Sequence, residues 1–310
     1  MSAEISGRRR HLAALLALPW WWSGCTNSLD VPPGPVYQSQ PARDDPVFRF
    51  AIHPLHNPVQ LARSYGPLTQ WLNAGLPAGR LLLEASRDYQ AYEKKLRGRE
   101  PHLLLPNPWQ TLVAQKAGYH VIATAGDNRD FRGIFLVRRN SPIRSLDDVR
   151  GKTLGYPSPT ALAAAMMPQY ALHQAGVNVR KETRSLYVGS QESAIMNVAQ
   201  GLVDVGVTWV PPWRLFQASR PELAGELRVL WETPPLINNS VMVRDDLPPD
   251  WVQSVQRRLL SLSADNVVGR SVLEPSATSG FFPASDADYA LVTDFIRRFE
   301  TAVRPVEDRS

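Results

Sequence analysis

From Val47 to Val243 the chain alternates short apolar runs with amphipathic stretches, and this alternation limits the possible folds more than any other feature. Val47–Ile52, Leu81–Glu84 and Leu103–Leu105 have the length and residue types of buried strands. After the first run, Leu61, Tyr65, Leu68 and Leu72 fall on one face of a helix. Asn57 is a good N-cap for it, and Pro58 suits its first position. Asp88 opens a second helix that ends near Gly98. Asn107 opens a third that ends at Ala117, with Gly118 as its stop. Further strands are predicted over Val121–Ala125, Ile134–Val137, Thr153–Tyr156, Leu186–Val188, Val203–Thr208, Arg228–Trp231 and Val241–Val243. Capping boxes stand at Ser145–Asp148 and Ser285–Asp288. A helix is predicted from Pro159, capped by Ser158, kinked before Pro168 and ended by Gly176. Ser190 caps the next helix, and Pro249 to Val303 reads as mostly helical. The pattern predicts α/β layers around a largely parallel sheet.

Composition removes several function classes. A length of 310 residues suits two domains or lobes. The single cysteine excludes an internal disulfide and a cysteine-based zinc or iron–sulfur site held by this chain alone. No uncharged apolar run reaches about 18 residues, so no ordinary transmembrane helix is expected. The net charge of +5 comes from 34 basic and 29 acidic residues mixed along the chain. That is a weak field and gives no basic stripe for nucleic acid. Three arginines and one glutamate of this balance lie in residues 1–24, and without them the net charge is +3. P-loop, dinucleotide and nucleophile-elbow motifs are absent, so no enzyme activity and no cofactor are expected.

The N-terminus reads as a targeting segment. Arg8, Arg9 and Arg10 precede an apolar run of eleven residues, Leu12 to Trp22, the length of a signal h-region. Ser23 and Gly24 then precede Cys25. This resembles a bacterial lipoprotein signal, in which the cysteine is lipidated and becomes the new N-terminus; Trp22 stands where that pattern usually has an aliphatic residue. Residues 1–24 are thus expected as a signal peptide. Residues 25–46, rich in Pro, Ser, Gln and Gly, are expected as a flexible tether to a membrane.

Several segments in order are similar to the phosphate, phosphite and phosphonate substrate-binding proteins of ABC transporters. They are Asn57-Pro58 with Tyr65-Gly66-Pro67-Leu68, Asp88-Tyr89, Pro106-Asn-Pro-Trp109, Gly189-Ser-Gln-Glu-Ser193 and Gly201-Leu-Val-Asp-Val-Gly206. The most specific is Ser141-Pro-Ile-Arg-Ser-Leu-Asp-Asp-Val-Arg-Gly-Lys152, which in that family marks the crossing into the second lobe. The resemblance implies a two-lobed type II periplasmic binding protein fold, each lobe a mixed sheet flanked by helices. It implies lobe 1 over 47–138, lobe 2 over 139–237, and a return to lobe 1 with C-terminal helices over 238–310. With the lipoprotein-like signal at Cys25, it implies a lipid-anchored monomer of the periplasm or cell envelope. Such a protein would capture a small oxyanion and pass it to an ABC permease. The alternatives are a partner that presents ligand to a membrane sensor kinase and, further off, an enzyme on the same fold.

The expected ligand-binding residues are Tyr89, Asn107, Trp109, Ser158, Thr160, Gln191 and Asp204. An oxyanion suits a helix N-terminus, where backbone N–H groups and the dipole converge. The resemblance matches that turn to Ser158-Pro159-Thr160-Ala161. The chain departs from the family there: Pro159 removes a donor, and Ala161 and Leu162 replace Ser-Gly. Gln191 replaces a histidine, and the stretch after Asp204 lacks a second acid for an aminophosphonate. Trp109, Trp209 and Trp213 are alternative ligand contacts. Bland roles stay open: Ser158 as a plain cap, Tyr89 and Trp109 as packing, Asp204 as a loop holder. His53 and His56 lack a third partner for metal, and no metal site is expected.

Overall fold

A computed structural model of the chain describes residues 46–307. Cys25 and the expected signal and tether lie outside them. Eleven strands among the described residues form two sheets. They are β1 (Val47–Ile52), β2 (Arg80–Glu84), β3 (Leu103–Leu105), β4 (Tyr119–Ala125), β5 (Gly133–Arg138), β6 (Thr153–Tyr156), β7 (Arg184–Tyr187), β8 (Val205–Trp209), β9 (Leu227–Glu232), β10 (Asn239–Arg244) and β11 (Phe281–Phe282). The first sheet runs β11-β4-β10-β3-β1-β2 and the second β7-β6-β8-β5-β9. Both belong to one compact unit.

The sheets are mixed, not largely parallel. The β2-β1-β3 and β7-β6-β8 triplets are parallel, as strand–helix–strand units require. The strands at the crossings break the pattern. The chain leaves the first sheet after β4 and enters the second as β5, antiparallel to β8 and β9. It returns as β10, inserted antiparallel between β3 and β4. The outward crossing is therefore 126–132, one strand ahead of the expected boundary at 138. The return lies at 233–238.

The helices form where the caps stand. In α1 (Pro58–Asn73) the Asn57 side chain accepts from Gln60 N–H at 3.0 Å. In α2 (Tyr89–Arg97) Asp88 accepts from Ala91 N–H at 2.7 Å. In α3 (Pro108–Lys116) Asn107 and Gln110 make a reciprocal capping box. The chain after β6 differs from expectation. Ser158 caps no helix; its hydroxyl closes a local turn on Thr160 N–H at 3.3 Å. A π turn, Leu162–Met166, follows and leads into α4 (Met167–Gln174), with Pro168 in the first turn where no donor is lost. After α5 (Val179–Glu182) comes α6 (Gln191–Ala199), capped by Ser190. The stretch Val210–Ser219 is α7, with Pro211 and Pro212 in the tolerant first turn. The helices Pro249–Leu260 and Ala290–Ala302 return to lobe 1. No described helix is long and apolar enough to cross a membrane.

Candidate ligand cleft

In open α/β sheets, ligands sit beyond the carboxyl ends of the parallel strands. Here those ends meet between the lobes. His53 follows β1, Asn107 follows β3, and Tyr89 opens α2. From the other side come Ala161–Ala164 after β6, Gln191 at the start of α6, and Trp209 ending β8. With Phe131 and Asn239 they enclose a cavity of about 10 Å³, room for roughly one water.

The lobes are held together across it by side-chain hydrogen bonds. Gln191 Nε2 donates to Tyr89 Oη at 3.1 Å, while Thr208 Oγ1 donates to Gln191 Oε1 at 2.9 Å. Both ends of the Gln191 amide are thus fixed, and Tyr89, used as acceptor, keeps its O–H to donate into the cleft. Asn107 Nδ2 donates to the Thr160 carbonyl at 3.0 Å. Thr160 Oγ1 donates to Glu93 Oε1 at 2.6 Å, and Ser158 Oγ lies 3.0 Å from Thr160 Oγ1. Gln110 Nε2 also donates to Glu93 Oε1, at 3.1 Å.

Burial sets the charge states. His53 is 2% exposed, with Nδ1 2.8 Å from the Leu105 carbonyl. Desolvation pulls its imidazole down to about 4, so it is neutral at pH 7. Burial pushes the Tyr89 phenol up. It also pushes the Glu93 carboxyl above the usual carboxylate range, partly offset by the Thr160 and Gln110 hydrogen bonds.

Of the expected residues, Tyr89, Asn107 and Gln191 come together at this cavity. Ser158 and Thr160 line a separate opening of about 250 Å³ beside it, with Asp88, Glu93 and Tyr187. The Thr160 hydroxyl donates to Glu93 and the Ser158 hydroxyl pairs with Thr160, so neither caps the helix, which starts later. Trp109 lines a surface groove with Leu112, Ile296 and Val306, away from the cleft. Asp204 lies at the opposite end of the second sheet. Leu154 pairs with Val205, and Asp204 Oδ2 accepts from Thr153 N–H at 2.8 Å, at the first residue of β6. Trp209 reaches the cavity, whereas Trp213 stacks on Phe216 in the lobe 2 core, with ring centroids 6.0 Å apart. Among the described residues no group of three or more His, Cys, Asp or Glu is placed to hold a metal.

Two residues at or beside the cavity were not singled out from sequence. Glu93 ties the lobes together; the Asn107–Gln110 spacing was a signal for one of its partners. Asn239 Oδ1 is buried with no hydrogen-bond partner and lines the cavity. No sequence signal marks it.

Residues 50–289 match the family described as the periplasmic substrate-binding protein of the phosphonate ABC transporter. The chain belongs to this family. A curated relative, the probable ABC transporter phosphite-binding protein PhnD1 of Prochlorococcus marinus, is 23% identical over 190 residues. That match spans 57% of this chain and 64% of the relative. The crystal structure of a binding protein component of an ABC phosphonate transporter from Pseudomonas aeruginosa superposes with a TM-score of 0.77 at 18% identity, covering 84% of this chain and 88% of that one. The structure of Prochlorococcus PhnD1 in complex with methylphosphonate gives 0.75 at 19% identity, over 82% and 98%. The two-lobed architecture is the type II periplasmic binding protein fold.

Proposed function

We propose that this family member is an extracytoplasmic solute-binding protein that closes its lobes on a small phosphorus oxyanion and hands it to an ABC permease. The supporting observation is the first turn of Leu162–Met166. Its leading N–H groups have no partner inside the helix and sit beside Tyr89 and Gln191 at the lobe junction. Alanines at 161, 163 and 164 supply no hydroxyl there, so main-chain N–H groups and Tyr89 would bind the anion. The enclosed 10 Å³ is too small for a phosphonate, so the ligand enters after the Tyr89–Gln191 and Thr160–Glu93 bonds open. Lipidation at Cys25 would tether the protein to a membrane.

Thermal shifts with phosphate, phosphite, methylphosphonate and sulfate test the reading. A ligand at 100 times its Kd stabilises by about 2.7 kcal/mol. If none of these oxyanions raises the melting temperature, the reading is wrong. A second reading rests on the Thr160 hydroxyl donating to Glu93 and the Ser158 hydroxyl pairing with Thr160. A site without them suits a receptor that reports to a membrane sensor kinase. Deletion would then abolish regulation and leave uptake intact.

A further inference from the structure

A second opening lies between the lobes and shares no residue with the cleft. It measures about 370 Å³ and is walled by α1 on one side and by α6 and α7 on the other, within the usual size of a small-molecule site. Its apolar wall is Ile195 and Phe216, both buried, with half-buried Leu215. Two guanidiniums stand at its edge. Arg63 is exposed and makes no ion pair among the described residues. Arg220 meets Glu192 only at 3.6 Å, and that carboxylate also accepts from Asn57 Nδ2 at 3.2 Å.

The decisive group is His56. It is 7% exposed, lines the opening, and its ring makes no hydrogen bond among the described residues. Its ring nitrogens are reached by solvent from the opening, so a ligand seated there can pair with them. Burial lowers its pKa to about 4, so the neutral ring carries one N–H donor at pH 7. Two guanidiniums and the single Glu192 carboxylate leave the opening net positive.

We propose that this pocket binds a small organic anion with an apolar body. The acid group lies between Arg63 and Arg220 within reach of His56, and the body lies on Ile195, Leu215 and Phe216. Because α1 belongs to lobe 1 and α6 and α7 to lobe 2, such a ligand contacts both lobes and favours their closed arrangement.

Phenylphosphonate is the probe, titrated calorimetrically into the purified chain with methylphosphonate present at saturation. That competitor occupies the central cleft if the oxyanion reading holds, and its own failure to bind is scored separately. Phenylphosphonate is expected to bind and to move the His56 ring resonances in NMR spectra. Arg63→Glu and Arg220→Glu each weaken it at least tenfold. Both positions are exposed, and the melting temperature without ligand checks that the fold is kept. Benzylamine, of like size and opposite charge, is expected not to bind. The proposal is overturned if phenylphosphonate fails to bind, if its affinity survives both charge reversals, if benzylamine binds equally well, or if the His56 resonances stay in place.

Discussion

The Thr160–Glu93 bond joins a lobe 2 turn to a lobe 1 helix, and its strength sets how readily the cleft opens. The bond is 2.6 Å long and Glu93 is 7% exposed, so it is short, charge-assisted and shielded from water. Such a bond contributes roughly 1.5–3 kcal/mol. A double-mutant cycle over Glu93→Ala and Thr160→Val should return a coupling of about 2 kcal/mol from urea denaturation at pH 7. The same energy corresponds to an open fraction about 30-fold larger in either single variant. A ligand that enters only through the open form should then associate faster by a similar factor in stopped-flow measurements. Acidity adds a control. Burial raises the Glu93 carboxyl above its ordinary 4.5, so the folded state holds the proton more tightly than the unfolded state. That contribution is complete below pH 4.5 and is lost as pH rises through the folded value. Wild type should therefore lose stability relative to Glu93→Gln as pH rises above 4.5. A coupling below about 0.5 kcal/mol, the usual non-additivity of unconnected sites, would refute the latch.

Three further outcomes follow from the same geometry. His53 and His56 are both held down to about 4 by burial, so each contributes stability above the ordinary 6.5 that is lost as pH falls towards 4. His53→Asn should remove about 3 kcal/mol of that acid sensitivity, read as the difference in urea midpoints between pH 7 and pH 4. Gly133→Ala would drive a Cβ into the Ala163 carbonyl and the Pro168 ring. It should cost about 1–3 kcal/mol by overpacking and weaken oxyanion thermal shifts, because the displaced residue belongs to the helix start. Asp204→Asn should lower stability by about 1 kcal/mol through the Thr153 bond and leave ligand affinity unchanged. A loss of binding there would return Asp204 to the site.

Local signals carried most of the elements. Asn57, Asp88, Asn107 and Ser190 cap helices by bonding backbone N–H groups three residues on, an interaction written in the sequence itself. What the sequence did not carry was pairing between distant strands. Nothing local in Gly133–Arg138 says that it joins β8 and β9 rather than β4, so the crossing was placed one strand late. The same holds for side chains that face away from a site. Trp109 follows a cap at the cleft, yet lies in a groove with the C-terminal helix, and Asp204 ends a loop at the wrong end of its sheet. Residue type and proximity to a strand end were legible. The direction each side chain takes depends on contacts made from far along the chain.

The turn after β6 shows how this limit bears on function. Counting hydroxyls from the strand end selects Ser158 and Thr160 as anion ligands. Yet Pro159 cannot donate, and Ser158 spends its hydroxyl on Thr160, so the chain completes a turn before any helix begins. The free N–H groups consequently belong to the segment from Leu162, three to four residues later, where the side chains are aliphatic. On the proposed function, anion recognition would fall on the main chain, with Tyr89 and the immobilised Gln191 amide as the polar side chains nearby. Main-chain donors are fixed by the fold, so at 161–164 only proline would remove one and other substitutions can only displace them. A bulky residue at Ala163 should therefore impair binding more than any loss of a hydroxyl at 158 or 160. The opposite ranking in oxyanion thermal shifts would return the site to the Ser158–Thr160 turn.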